Sequence, residues 1–114
     1  MRNIDIQEFK KLLNENQKGL EIIDVREEDE FEIIHIKNSK LIPMMGIQNR
    51  LSEIDWNKTV VFVCRSGARS GYVARSLNGD YESLNLEGGI GACYQDPVCR
   101  QYLEVDEEKV GKYF

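Results

Sequence analysis

A cysteine at the end of an apolar run is the residue in this chain best suited to chemistry. Cys64 follows the β-branched segment 59–63 and precedes a stretch of small residues. This order predicts a buried strand, a turn and a helix start. The thiol is then expected at the carboxyl edge of an α/β sheet, where open sheets keep their sites. Amide groups of the turn and the helix start can point at the sulfur. We therefore predict that Cys64 is activated as a thiolate, the nucleophilic form of cysteine.

Positive charge surrounds this cysteine on an otherwise acidic chain. The sequence has 20 Asp and Glu against 15 Lys and Arg, yet no acid occurs between residues 58 and 79. Guanidinium groups rarely flank a purely structural buried thiol, because each would need a partner of its own. This cationic stretch suits a bound anion or an anionic sulfur species. Its cations are Lys58, Arg65, Arg69 and Arg75.

Four spaced motifs resemble the rhodanese (sulfurtransferase) family over about residues 2–94. The loop Cys-Arg-Ser-Gly-Ala-Arg-Ser at 64–70 resembles the family's active-site loop. Agreement in order across the chain is more specific than any single motif. The sequence departs from the family at Asn38-Ser39, where Gly-Ala is usual, and near Cys93, where an aromatic residue is common. The other matching segments are Ile22–Arg26 followed by Glu27–Phe31, His35-Ile36 with Ile42-Pro43, and Leu86–Ile90.

The resemblance implies a fold and a reaction. The fold would be α/β, a small parallel sheet of about five strands with helices on both faces, and we expect one domain over residues 1–114. Cys64 would accept a sulfur atom as a persulfide from a small donor such as thiosulfate. It would pass that sulfur to a thiophilic acceptor, a thiol or a protein. No cofactor is expected. Around catalytic Cys64, the implied binding loop is Arg65, Ser66, Gly67, Ala68, Arg69 and Ser70.

Two other functions fit parts of this pattern. Cysteine-loop phosphatases and arsenate reductases also close such a loop with an arginine, but with five intervening residues, whereas four separate Cys64 from Arg69. A shorter ring of amides leaves little room for a tetrahedral phosphate. A non-catalytic binding module of the same fold is the second alternative. Such modules usually lack the cysteine.

Several further polar residues are interpreted as structural. Asp24 is expected to cap a turn, with Arg26 paired to an acid of the following helix. His35 is expected to be a hydrogen-bonded structural residue, since an ionised thiolate needs no general base. The acids at 104 and 106–108 are interpreted as a solvated segment.

Composition narrows the remaining possibilities. A net charge of −5 argues against nucleic acid or an anionic membrane as the main partner. No leader or membrane-spanning run is recognised, so a cytoplasmic location is expected. In that compartment Cys64, Cys93 and Cys99 are expected as free thiols. A single histidine and no Cys-x-x-Cys pair argue against a metal site.

Hydrophobic spacing predicts helices alternating with strands, as in a parallel sheet covered on both faces. Helices are expected over 4–13 with Asp5 as cap, and over 27–33, 46–54 and 67–77, with a last helical region after residue 88 broken near Pro97. Strands are expected over 20–25, 41–43, 59–63 and 83–86, with 59–63 central. In the segment 46–54, the residues expected to point inward are Ile47, Leu51 and Ile54. The helix over 67–77 should offer Ala68, Tyr72, Ala74 and Leu77 for packing. That helix should end at Asn78-Gly79.

Overall fold

A sheet of five parallel strands organises the fold, in a computed structural model that describes residues 1–77, 79 and 81–114. The strands are β1 Arg2–Ile4, β2 Leu20–Asp24, β3 Ile34–Ile36, β4 Lys40–Leu41, β5 Thr59–Val63, β6 Leu84–Leu86 and β7 Leu103–Val105. Across the main sheet they follow the order β1, β6, β5, β2, β4, with every pair parallel. The central strand is therefore β5, as predicted.

Within the described residues, five α-helices accompany these strands. They are α1 Ile6–Asn16, α2 Glu28–Ile33, α3 Ala68–Ser76, α4 Gly89–Gln95 and α5 Val110–Tyr113. Asp5 caps α1 as predicted, since its carboxylate accepts from the Glu8 amide at 2.9 Å. At the start of α2, Glu27 and Glu30 form a reciprocal capping box, which satisfies amides that the helix itself leaves unpaired. The α/β architecture with a small parallel sheet is confirmed.

The sheet separates two apolar clusters, and β5 contributes to both. Val61 and Val63 belong to the cluster that includes residues of α1 and α4. Phe62 and Cys64 belong to the cluster that includes residues of α3. Successive side chains of a strand point to opposite faces, so this alternation directs the Cys64 side chain toward α3.

A second, two-stranded sheet brings the C-terminal segment back over the chain. In it β3 pairs antiparallel with β7, with Ile36 opposite Leu103 and Ile34 opposite Val105. Neither strand was predicted, and β1 was assigned to helical spacing through Ile4. The two strands pair across a long stretch of chain, and local hydrophobic spacing does not reveal such partners.

The segment 44–54 forms two 3₁₀ turns, Met44–Asn49 and Leu51–Glu53, so the predicted helix is wrong. Ile47 and Ile54 are buried as expected. Residues three positions apart lie on one side of a 3₁₀ helix and nearly on one side of an α-helix, so the spacing of Leu51 and Ile54 did not distinguish the two.

The packing face of α3 agrees with the prediction at Ala74 and Leu77 and differs at Ala68 and Tyr72, which are exposed. Tyr72 is 63% exposed, and the buried face runs through Ser70, Val73, Ala74 and Leu77. Asn78, predicted as part of the cap of this helix, lies outside the described residues.

Cys93 and Cys99 form a disulfide with Cα atoms 5.0 Å apart. The expectation of three free thiols is therefore wrong, and Cys64 is the free cysteine. Cys93 lies on α4, and the turn after it returns Cys99 to the same helix. Both residues are fully buried in one apolar cluster.

The longest helix in the described residues is α1, with 11 residues. No described helix has the length and apolar character needed to cross a membrane.

Candidate functional site

The Cys64 sulfur lies at the carboxyl end of β5 and is surrounded by hydrogen-bond donors. The Gly67 amide donates to Sγ at 3.1 Å, and the Ser70 hydroxyl lies 3.3 Å from it. Only 1% of the residue is exposed. The turn between β5 and α3 therefore curls around the thiol, as the strand–turn–helix pattern predicts.

The pKa of Cys64 lies below the ordinary value of a cysteine thiol. Burial is the largest single influence and opposes the thiolate. It is outweighed by hydrogen bonds from the Ser70 hydroxyl and from the amides of Ser70, Ser66 and Gly67. The lowered pKa agrees with the prediction of an activated thiol. Its main source is the ring of donors, because hydrogen bonds to the charged form favour that form.

The start of α4 shapes this loop from behind. The Ile90 amide donates to the Cys64 carbonyl at 2.9 Å, and the Gly91 amide donates to the Arg65 carbonyl at 3.0 Å. Gly89 has a φ of 57°, and a Cβ there would collide with the Cys64 carbonyl oxygen. The first turn of α4 therefore binds the loop carbonyls, which leaves the loop amides free to face the sulfur.

Ser70 connects the sulfur to a buried amide. Its hydroxyl lies 2.6 Å from Asn85 Oδ1 as well as 3.3 Å from Cys64 Sγ. Because a hydroxyl carries one proton, Ser70 donates either to the thiolate or to Asn85. The Asn85 amide nitrogen in turn donates to the Asn3 side chain at 3.0 Å and to the Gly67 carbonyl at 3.2 Å. Asn85 on β6 thus ties the loop to the sheet, a role that the sequence analysis missed.

Arg69 is held by Glu30 of α2. Its two terminal nitrogens donate to the two carboxylate oxygens at 2.8 and 2.9 Å. This contact holds the pKa of Glu30 down at about 2. The pKa of Arg69 is raised chiefly by the same hydrogen bonds, with a smaller contribution from Cys64. Arg69 therefore lies close enough to Cys64 for their charges to interact. Both terminal nitrogens of its guanidinium are, however, bound to Glu30.

Arg26 is fully buried in a polar network behind α2. It forms a double contact with the Asp24 carboxylate, at 3.0 Å from Nε and 2.9 Å from Nη2. Its Nη1 donates to the Tyr113 hydroxyl at 2.9 Å. Asp24 also accepts from the Arg26 amide, as expected for a residue that caps a turn. The predicted pairing of Arg26 with an acid of the following helix is wrong. The buried charge of Arg26 is neutralised by Asp24 instead.

Arg65 points to the C-terminal helix. Its Nη2 donates to the Tyr113 carbonyl at 3.2 Å, and its guanidinium carbon lies 5.4 Å from the Tyr113 ring centre and 5.7 Å from that of Phe114. Guanidinium groups at this distance over aromatic faces make cation–π contacts.

His35 is a structural residue, as predicted. Its ring stacks on Phe31 at 3.9 Å, Nδ1 lies 2.8 Å from the Phe31 carbonyl, and Nε2 lies 3.3 Å from Glu104. Among the described residues no group of three or more His, Cys, Asp or Glu side chains is arranged to hold a metal ion.

The structure brings the predicted loop residues 64–70 together and adds three side chains that sequence analysis missed as partners. Glu30 belongs to the recognised Glu-Phe motif, so its position was visible although its role was not. Asn85 and Tyr113 carry no signal in the sequence. Both reach the site from elements distant along the chain.

Comparison with known proteins identifies the family. The rhodanese-like domain family matches residues 5–96. A sulfurtransferase of Allochromatium vinosum is 35% identical over 92 residues, which cover 79% of this chain and 85% of the relative. The Bacillus subtilis protein YqhL is 38% identical over 92 residues, covering 79% of this chain and 70% of the relative.

Comparison of the folds gives the same family. The crystal structure of a rhodanese-like domain protein from Staphylococcus aureus superposes with a TM-score of 0.77 and 34% identity, covering 93% of this chain and 99% of the other. The sulfurtransferase relative supports a role in sulfur transfer. On these matches, the chain belongs to the rhodanese-like domain family.

Proposed function

We propose that this protein is a sulfurtransferase that moves a sulfane sulfur from thiosulfate, or a similar donor, to a thiophilic acceptor through a Cys64 persulfide. The observation that carries this proposal is the Cys64 sulfur itself. It accepts hydrogen bonds from the loop and has a lowered thiol pKa. The family membership supports the sulfur-transfer class.

The first half-reaction is a displacement at sulfur. The Cys64 thiolate attacks the outer sulfur of thiosulfate and forms a new S–S bond. The donor's S–S bond breaks, and sulfite leaves with its electron pair. The terminal persulfide sulfur then carries the negative charge, which the amides of the loop stabilise as an oxyanion hole stabilises oxygen.

The second half-reaction restores the thiolate. A nucleophilic acceptor attacks the outer sulfur of the persulfide, and the electron pair of the broken bond returns to Cys64. A small thiol or a protein would serve as acceptor, and cyanide would serve in an assay, with thiocyanate as product. A covalent intermediate shared by two substrates predicts ping-pong kinetics.

Phosphate chemistry is the weaker alternative. Four residues separate Cys64 from Arg69, and the Arg69 fork binds Glu30 with both terminal nitrogens. In a phosphatase loop, these two guanidinium nitrogens would have to be free to bind the phosphate oxygens. A purely binding role is also less suited to a thiol whose pKa is lowered.

Mass spectrometry after thiosulfate treatment tests the proposal. One sulfur atom should be added per chain, on the peptide that contains Cys64, and turnover with thiosulfate and cyanide should follow. Cys64→Ser should lose both the added sulfur and the turnover. It should keep the thermal unfolding temperature of the wild type, because the Ser and Cys side chains are similar in size. Absence of a persulfide together with hydrolysis of aryl phosphates by the wild type would overturn the proposal.

A further inference from the structure

The segment that follows the family match is bound closely to the site. Beyond residue 96, β7 pairs with β3, and the Asp106 amide donates to the Ile33 carbonyl at 2.7 Å. The Lys37 amide donates to the Tyr102 carbonyl at 2.8 Å. These contacts run along the end of α2 and along β3. They bring α5 beside α2, which carries Glu30.

The Tyr113 hydroxyl of α5 bridges two charged groups. It accepts from Arg26 Nη1 at 2.9 Å and donates to Glu30 Oε1 at 3.0 Å. The same Oε1 accepts from Arg69 Nη2 at 2.9 Å. Burial is the largest cause that raises the pKa of Tyr113, so the phenol keeps the proton that it donates. The hydroxyl therefore connects buried Arg26 to the Glu30–Arg69 pair.

The remainder of Tyr113 holds the other arginine of the loop. Its carbonyl accepts from Arg65 Nη2 at 3.2 Å, and its ring lies under the Arg65 guanidinium. Phe114 packs edge-to-face on the Tyr113 ring, with ring centres 4.8 Å apart. It also stacks on Tyr94 of α4, with ring centres 5.1 Å apart. One residue thus contacts Arg65 directly and Arg69 through Glu30.

We propose that Tyr113 is a positioning residue that holds Arg65 and Arg69 beside the Cys64 loop, where their positive charge attracts an anionic sulfur donor. A phenylalanine would fill the same volume, so packing alone does not require the hydroxyl. The donor part of this inference rests on the proposed function. The orientation of the two arginines does not.

Kinetics of Tyr113→Phe test the role of the hydroxyl. The KM for thiosulfate should rise roughly fivefold, the effect of losing one ordinary hydrogen bond, with kcat changed less than twofold. Tyr102→Phe is the matched control, because it removes a hydroxyl from the same segment at the apolar cluster. It should leave both constants unchanged. Equal constants for Tyr113→Phe and wild type would overturn the role of the hydroxyl.

A double-mutant cycle with Glu30→Gln tests whether the hydroxyl acts through Glu30. In the Glu30→Gln background, Tyr113→Phe should change the KM less than twofold. A merely structural hydroxyl would lower the unfolding temperature equally in both backgrounds without this coupling. Fully additive effects on KM would contradict the inference.

Alkylation of Cys64 separates this inference from the sulfurtransferase proposal. Iodoacetate is anionic and iodoacetamide is neutral, so the ratio of their rates reports the positive field at the thiol. With Cys93 and Cys99 joined, Cys64 is the thiol that reacts. The ratio should fall at least twofold in Tyr113→Ala, which removes the ring and the hydroxyl, and less in Tyr113→Phe.

The outcomes are distinct. A wild type that forms no persulfide, with a ratio that still falls in the Tyr113 variants, rejects the proposed function and supports the positioning role. A ratio that is unchanged in folded Tyr113→Phe and Tyr113→Ala overturns the positioning role. If Tyr113→Ala does not fold, Tyr113→Phe decides the question alone.

Discussion

At the scale of single residues, the lowered pKa of the Cys64 thiol comes from neutral hydrogen-bond donors more than from the neighbouring arginines. The hydrogen bonds that lower its pKa come from the Ser70 hydroxyl and the amides of the loop. Arg69 contributes charge nearby, but Glu30 holds its donors. Such a site can stabilise a small anionic sulfur without a directly bound guanidinium.

Ser70→Ala should therefore raise the pKa of Cys64, because the Ser70 hydroxyl supplies the largest of the interactions that lower it. The rate of Cys64 alkylation increases as pH rises through the thiol pKa, and this increase should shift to higher pH in the variant. Ser76→Ala on the same helix, whose hydroxyl binds the Val73 carbonyl, is the control. Identical profiles for Ser70→Ala and wild type would show that the hydroxyl bonds only to Asn85.

The Glu30–Arg69 pair makes stability depend on pH. The pKa of Glu30 is about 2 in the folded protein against 4.5 for an unperturbed group. A carboxyl whose folded pKa is lowered adds stability above its unfolded pKa, and this stability is lost as pH falls through the folded pKa. The wild type should thus exceed Glu30→Gln in free energy of unfolding near pH 7. The gap should close between pH 4.5 and 2.

Urea unfolding at a series of pH values measures this gap. Glu28→Gln removes a charge from the same helix without breaking the pair, and its difference from wild type should vary less over that range. A Glu30→Gln difference that stays constant from pH 7 to pH 2 would mean that the pair does not form in solution.

At the scale of elements, the start of α4 determines the shape of the Cys64 loop. Two of its amides bind loop carbonyls, and the left-handed backbone at Gly89 brings the two segments into contact. Gly89 of the Leu-Glu-Gly-Gly motif thus allows the start of α4 to pack directly against the loop. This packing fixes the direction in which the loop amides point.

Gly89→Ala should destabilise the fold by about 2 kcal/mol or more, from the left-handed backbone and from the collision of Cβ with the loop. Its Cβ would stand 2.7 Å from the Arg65 carbonyl oxygen, so sulfur transfer should fall even at temperatures where the variant is folded. Gly46→Ala is the control, because its Cβ meets only the Arg50 side chain at 3.9 Å. Thermal unfolding and steady-state assays of both variants check this. Wild-type activity in Gly89→Ala would show that the loop tolerates displacement.

At the scale of the whole molecule, the C-terminal segment is attached by two means. A backbone pairing joins β7 to β3, and the Cys93–Cys99 disulfide joins the following turn to α4. Both α4 and α5 contact the Cys64 loop region. Stability of this end of the chain is therefore connected to the geometry of the site.

Thiol titration checks the disulfide. The unfolded, unreduced protein should show one reactive thiol, and reduction should reveal all three cysteines. Closing a loop this short contributes about 2 kcal/mol in the chain-entropy account, so a reductant should lower the unfolding temperature of Cys64→Ser. A Cys64→Ser variant that also carries Cys93→Ala and Cys99→Ala should not respond to the reductant. Three reactive thiols in the unreduced protein would contradict the bond.

The sequence by itself determined the parts of this protein that depend on neighbours along the chain. The apolar run 59–63, Cys64 and the small residues after it predicted strand, turn and helix in the right order, because each follows from local periodicity and turn chemistry. The parallel α/β fold followed from the alternation of such units. The charge pattern indicated cations at the loop, although it did not show what they bind.

Only the tertiary structure decided the partners. Glu30 and Arg69 are 39 positions apart, and Tyr113 and Glu30 are 83 positions apart. Their contacts therefore exist only once the main sheet has formed and β7 has paired with β3. The pairing of Cys93 with Cys99 was missed although six positions separate them, because the expected reducing compartment outweighed local geometry. The side chains that hold the Cys64 loop are those brought near it by the fold, and short-range sequence patterns do not carry that information.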